Sequence, residues 1–345
     1  MAVLNQIDID VYQLLKQFEK SQWKHKPNFN LVSNLPIITR EDLRTIEMDK
    51  GFYTTKTSGS TGEPVTISKT YNDFIWYLAT NIRELKWRKW DASKTLAVIR
   101  PGSATEDLDD WGIPKNIDPI QGKRYMIGYK PISHLQKWLE EKNPHYLHCA
   151  PTILKQLDLS KISNLIDTKG TSEMGGSLYS SEECGTIAIN CPDNPSVKHV
   201  MENNIVEVDT DGGLIITTLT NKYIRRYKHG DHIELGECNC GRTLQTIKTI
   251  NGRVRNMFVM RNGDKKWPLF GSRDFNDEFG IKRFKVIQTT LSEIELQIIS
   301  DPLGDKKEAV ISAIKKYLDE PIDVKIKYVK DFPNYKFEEF VSLVK

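Results

Sequence analysis

No long apolar run breaks up this 345-residue chain: no stretch approaches the length of a membrane span, and the opening from Met1, with Asp8 and Asp10 in it, has no apolar core of the signal-peptide kind. A cytoplasmic protein with no membrane partner is therefore expected. Charge of one sign is also missing. Forty-nine Lys and Arg face 46 Asp and Glu, for a net charge of +3, so there is no single-faced basic footprint and no nucleic-acid partner is expected. Cysteine is scarce, and its number, five, is odd, which argues against a disulfide framework and for reduced thiols or metal ligands. Internal repeats are absent, and the one low-complexity stretch is short.

What is present is the composition of an ordinary globular protein, 39% hydrophobic and 28% charged, long enough for a large domain with a small one. Val11, Leu14, Leu15 and Phe18 recur at helical spacing. A capping pattern opens a second helix at Thr39, a third is read over Tyr71 to Trp87, and a fourth over Ile132 to Glu141. Between them, Leu96-Ala97-Val98-Ile99 and the run from Tyr146 read as buried strands, and the alternation predicts an α/β core. From Asn204 onward the texture turns to strands, beginning with a hairpin about Asp211-Gly212-Gly213. The domains read as 1–253, a large α/β domain with mixed sheets and helices, and 254–345, a small α+β lobe with one helix, Lys306 to Leu318.

Four short segments carry candidate chemistry. Thr57 to Pro64 reads T-S-G-S-T-G-E-P between two strand-like runs, Phe52–Thr55 and Val65–Ser68. Hydroxyls and unencumbered backbone N–H groups suit phosphate oxygens, whereas the alternative is a Ser/Gly linker. A Walker A loop is excluded, because Gly62 is followed by Glu63-Pro64 instead of Lys and a helix. Tyr179-Ser180-Ser181-Glu182-Glu183-Cys184-Gly185 sets carboxylates at the mouth of a strand, where one could hold Mg²⁺ or simply cap a helix. Arg225-Arg226-Tyr227-Lys228-His229-Gly230-Asp231 reads as a strand ended by Gly-Asp, whose carboxylate could accept from two ribose hydroxyls or merely mark a turn. Gly252-Arg253 offers a guanidinium to a ribose or phosphate, or a surface arginine after a turn.

In this order, the four segments and a late lysine resemble the adenylate-forming superfamily of acyl-CoA synthetases, peptide-synthetase adenylation domains and luciferases. Cys238-Asn239-Cys240-Gly241-Arg242, lying between the Gly-Asp and Gly-Arg elements, brings the phenylacetate-CoA ligase family nearest. The resemblance implies that Ser58, Gly59, Ser60, Thr61 and Gly62 meet the β and γ phosphates of ATP, that Tyr179 lies against the adenine and that Glu183 binds Mg²⁺. It also gives Asp231 the ribose, Arg253 a second ribose or phosphate contact, and Lys336 the charge developing between carboxylate and α-phosphate. Ser180, Glu182 and Tyr335 depart from the family pattern. The implied reaction joins a carboxylic acid, aryl by resemblance alone, to AMP with release of pyrophosphate. The acyl group then passes to CoA, a carrier protein or an amine. Trp111 and Tyr146 are candidates either for lining the acid pocket or for filling an ordinary core.

Cys191, His199, Cys238 and Cys240 supply three thiolates and an imidazole, a set suited to a structural zinc with no open position. Cys149 and Cys184 read as core. From another class, the alternative is a zinc-stapled binding module that has lost catalysis.

Overall fold

The computed structural model describes residues 5–56, 65–100, 102–170, 177–253, 257–266, 279–281, 283–318, 320–332 and 340–344. The chain divides into two compact units, Met1–Ile250 and Asn251–Lys345.

In the first unit, helix α1 (Gln6–Ser21) buries Val11, Leu14, Leu15 and Phe18, as its spacing requires. Short α2 (Arg40–Thr45) and long α3 (Tyr71–Trp87) each open on a full capping box, Thr39 with Asp42 and Thr70 with Asp73. Between these helices, β1 (Tyr53–Lys56) and β2 (Thr66–Lys69) pair antiparallel. A five-stranded sheet follows, made of β3 (Leu96–Ile99), β4 (Glu106–Leu108), β5 (Arg124–Ile127), β6 (Tyr146–Cys149) and β7 (Asp167–Gly170) in the order β4-β5-β3-β6-β7. Only the pairing of β4 to β5 is antiparallel in it. Alternation along the strands sends Leu96, Val98 and Tyr146 toward α1 and α3. Ala97, Ile99, Leu147 and Cys149 turn instead toward α4 (Ile132–Lys142) and the single-turn α5 (Pro151–Leu154). Both faces are covered, which is why the Leu96–Ile99 run is continuously apolar.

The second sheet of this unit has seven strands, β8 (Leu178–Ser181), β9 (Gly185–Asn190), β10 (Lys198–Val200), β11 (Asn204–Val208), β12 (Gly213–Thr218), β13 (Tyr227–Gly236) and β14 (Thr246–Arg253). Their order is β11-β12-β13-β14-β10-β9-β8, so β10 is inserted out of sequence between β14 and β9.

The other unit pairs β15 (Phe258–Val259) with β16 (Lys265–Lys266). It also builds a four-stranded sheet, β19-β18-β17-β20, from β17 (Arg283–Thr290), β18 (Glu293–Ile299), β19 (Asp323–Tyr328) and β20 (Phe340–Ser342). Helix α6 (Lys307–Leu318) packs Val310, Ile314 and Leu318 on Val286, Leu296 and Ile298. No described helix is long and apolar enough to cross a membrane.

Candidate active site and metal centre

Two irregularities in the seven-stranded sheet build the polar centre. Between the pairs Gly213↔His232 and Ile215↔Lys228, β13 advances four residues while β12 advances two. His229 and Asp231 lie within this bulge and are both buried, in period-2 step with Tyr227, and Gly230, at φ +90, occupies a backbone conformation closed to most side chains. The sequence expectation of a strand ending at Gly-Asp is thus corrected: the pair lies inside β13, and its glycine serves a bulge. The second irregularity is the tight β8–β9 hairpin, in which Ser181 pairs with Gly185 across Glu182-Glu183-Cys184 and Gly185 sits at φ +72. Glu183 therefore stands on a hairpin tip and not on a helix cap.

These features bring separate motifs together. The hydroxyl of Tyr179 donates to Asp231 Oδ2 at 2.5 Å, and His229 Nδ1 lies 3.0 Å from the same oxygen. All three side chains are buried, and Tyr179, 0% exposed, presents no ring face to a ligand in this arrangement. Nearby, Glu183 Oε1 takes Arg40 Nη1 at 3.3 Å and accepts the hydroxyl of Tyr227 at 3.3 Å. Burial and the Glu183 carboxylate push the Tyr227 phenol upward, so it stays a donor. Lys69, the last residue of β2, is 3% exposed and donates its ammonium to the Glu183 carbonyl at 2.5 Å. Burial lowers its pKa.

A cavity of about 30 Å³ adjoins this hairpin, lined by Tyr53, Trp76 and Tyr77 and by Lys69, Asp73 and Thr186 among others. Trp111 and Tyr146, the sequence candidates for an acid pocket, are elsewhere. Tyr146 stacks on Trp90 at 4.5 Å, Trp111 meets both edge-on, and all three belong to the core between α3 and the five-stranded sheet.

Ser58, Gly59, Ser60, Thr61, Gly62 and Lys336 lie outside the described residues. Arg253 closes β14, and its side chain is likewise outside them. Arg40, Lys69, Tyr227 and His229 were not singled out by sequence reasoning. His229 and Tyr227 had a usable signal, their period-2 spacing with Asp231. Arg40 and Lys69 had none, because their roles depend on contacts 143 and 114 residues away.

The Cys/His set converges. Ligand atoms of Cys191, His199, Cys238 and Cys240 all lie within 4.8 Å of one another, because β10 delivers His199 between the strands that end near Cys191 and begin near Cys240. The Cys191 and Cys238 sulfurs are 3.7 Å apart and His199 Nε2 is 3.2 Å from Cys240 Sγ. Burial and the Arg242 and Arg83 charges push His199 down to about 4, leaving the neutral imidazole a metal requires. Arg242 donates its backbone N–H to Cys240 Sγ, and its guanidinium lies between Trp23 and Trp87 at 4.9 and 5.0 Å. Arg83 covers the other side of this layer, between Trp87 and Phe18 at 4.6 Å from each, and pairs with Glu202 at 2.7 Å.

Solved structures share this architecture. 2-Hydroxyisobutyryl-CoA ligase in its postadenylation state superposes with a TM-score of 0.68 at 15% identity, over 98% of this chain and 89% of that one. The GH3.15 acyl acid amido synthetase gives 0.59 at 12%, over 99% and 92%. O-succinylbenzoate coenzyme A synthetase from Bacillus subtilis, in complex with AMP, gives 0.54 at 11%, over 84% and 67%. The fold is that of the adenylate-forming enzymes. No family model matches the sequence, and no curated protein does.

Proposed function

We propose that this protein is an ATP-dependent ligase that activates a carboxylic acid. The acid's carboxylate oxygen attacks the α-phosphorus of ATP, the bond to the leaving pyrophosphate breaks, and an acyl-adenylate remains. A thiol or amine acceptor, on CoA, a carrier protein or a free amine, then takes the acyl group and releases AMP. The observation that carries this reading is the convergence of Tyr179, Asp231 and Glu183 on one sheet of an adenylate-forming fold, with the Tyr179–Asp231 bond joining residues 52 apart in sequence.

Within this proposal Ser58 to Gly62 hold the phosphates, Asp231 and Arg253 the ribose, and Lys336 the charge that develops as the bond forms. Tyr179 fixes Asp231 through its hydroxyl, and an adenine contact requires its ring to be uncovered. Glu183 is the ligand for Mg²⁺, which would offset phosphate charge when bound. Its carboxylate suits a cation, being held against Arg40, and one carboxylate with substrate phosphates is ordinary magnesium ligation. Zinc at the Cys/His set is structural, since four protein ligands leave no open position. The phenylacetate-CoA ligase-like subtype rests on the place of Cys238 to Arg242 between the Gly-Asp and Gly-Arg elements. An aryl acid would find aromatic walls in Tyr53, Trp76 and Tyr77, but about 30 Å³ is well below the roughly 150 Å³ that receives benzene, so the group taken here is small. A cytoplasmic setting agrees with five free cysteines.

Pyrophosphate exchange against a panel of acids tests the reading. Exchange with at least one acid is expected, and Lys336→Ala should abolish it while ATP still binds. No exchange with any acid, together with no ATP binding, removes the proposal.

A further inference from the structure

The cavity beside the Glu183 hairpin is lined in part by polar residues that the proposed chemistry at the α-phosphorus does not use. Lys69 Nζ makes one hydrogen bond among the described residues, to the Glu183 carbonyl, although an ammonium stripped of water offers three donors. Thr186, 4% exposed, has a hydroxyl with no hydrogen-bond partner among the described residues. Buried polar groups are nearly always satisfied, and each one left unmade costs about 1–3 kcal/mol. An unbonded hydroxyl and an ammonium with donors to spare, both on residues that line one cavity, mark a place built for a ligand oxygen. Asp73, Thr80 and Asn203 also line it and are engaged, Asn203 by accepting the Asn204 amide at 3.2 Å. Asp73 accepts from the Thr70 N–H, the Thr220 hydroxyl and the Asn221 amide, and Thr80 donates to the Trp76 and Tyr77 carbonyls. Cys184, pushed up to about 12 by burial, remains a thiol.

Size and charge narrow the ligand. A volume of about 30 Å³ corresponds to roughly two waters, room for an oxygen and one or two carbons. The Lys69 ammonium and the Asp73 carboxylate line the same space, so their charges offset each other, and a second carboxylate would meet Asp73 at close range.

Resting on the adenylation reading, we infer that Lys69 and Thr186 recognise a neutral oxygen substituent on the acid, making the substrate a short-chain hydroxy- or oxo-carboxylic acid. Selection works by penalty. An unsubstituted acid of the same length leaves both groups unmade, whereas a hydroxyl or carbonyl oxygen accepts from Lys69 and pairs with Thr186.

Pyrophosphate exchange is measured with matched four-carbon acids: butyrate, its 2-hydroxy, 3-hydroxy and 3-oxo derivatives, and succinate. At least one hydroxy or oxo acid should exceed butyrate in kcat/KM by about 100-fold or more, with succinate below it. Lys69→Met should collapse that ratio to within about tenfold, a readout that a merely structural role for Lys69 would not move. Because Lys69 also supports Glu183, Thr186→Val, which removes the hydroxyl and keeps the volume, provides a second measurement and should lower the ratio at least threefold. Butyrate or succinate equal to the best oxygenated acid overturns this inference and leaves adenylation standing, as does a ratio unchanged in both variants. Exchange with no acid and no binding of ATP overturns the adenylation reading and this inference with it.

Discussion

Replacing Cys238 with serine tests the metal centre most directly, and the geometry sets what to expect. Zinc–thiolate bonds of about 2.3 Å in a tetrahedron place sulfurs about 3.8 Å apart. The Cys191–Cys238 separation is 3.7 Å, whereas a disulfide would need about 2.05 Å. Three thiolates and Zn²⁺ leave one negative charge, and the Arg242 guanidinium and its N–H bond to Cys240 face it. At a free metal concentration about 1,000 times the dissociation constant, binding stabilises the fold by about 4 kcal/mol. At roughly 2–4 °C per kcal/mol for a unit of this size, stripping the metal should lower Tm by roughly 8–16 °C. The assays are elemental analysis of the purified protein and thermal unfolding with and without a chelator. Wild type should carry about one zinc per chain, and Cys238→Ser should carry little and melt near the chelated wild type. Trp23 and Trp87 flank Arg242, so their fluorescence should change on chelation. Less than about half an equivalent of zinc, with a chelator-insensitive Tm, would refute the reasoning.

Other perturbations give equally definite expectations. Lys169 and Glu84 form a buried pair at 2.5 Å, and Ser177, just before β8, donates to the same carboxylate at 2.6 Å. Lys169→Met should cost about 3–5 kcal/mol in urea unfolding, and adding Glu84→Gln should recover most of it; a single-variant cost under about 1 kcal/mol would contradict this. Burial, then the Lys169, Arg100 and Arg88 charges, hold His148 well below its ordinary 6.5. The unfolded chain then binds the extra proton, so stability should fall as pH drops below about 6.5, and His148→Asn should flatten that slope in unfolding measured from pH 7 to 5. Tyr179→Phe strips the buried Asp231 of its 2.5 Å donor and should cost about 1–3 kcal/mol in stability while weakening ATP binding in calorimetry; unchanged ATP affinity would separate Asp231 from the nucleotide.

Local signals carried the scaffold, and register carried the site. The helix α1 stripe, the threonine cap at Thr39 and the hairpin around Gly212 are written in spacings of two to four residues, and the fold keeps each of them. Gly230-Asp231 looked like a strand end because a bulge is defined by the partner strand, and nothing near Gly230 announces that β13 runs two residues ahead of β12. Nothing near Lys69 in sequence signals burial, since most lysines are solvated, and only the β8–β9 hairpin lying over its ammonium buries it. The cysteines showed their chemistry by residue type, yet their convergence needed β10 to enter the sheet out of order, which no pairwise spacing encodes. Trp111 and Tyr146, open in sequence between pocket and core, are core: large aromatics commonly fill one, and here they do. The groups that sequence reading passed over, Arg40 and Lys69, are the two cations that hold the Glu183 hairpin, one by its carboxylate and one by its carbonyl. Glu183 is therefore fixed at both ends, and a ligand that draws its carboxylate away from Arg40 must work against a backbone that Lys69 keeps in place.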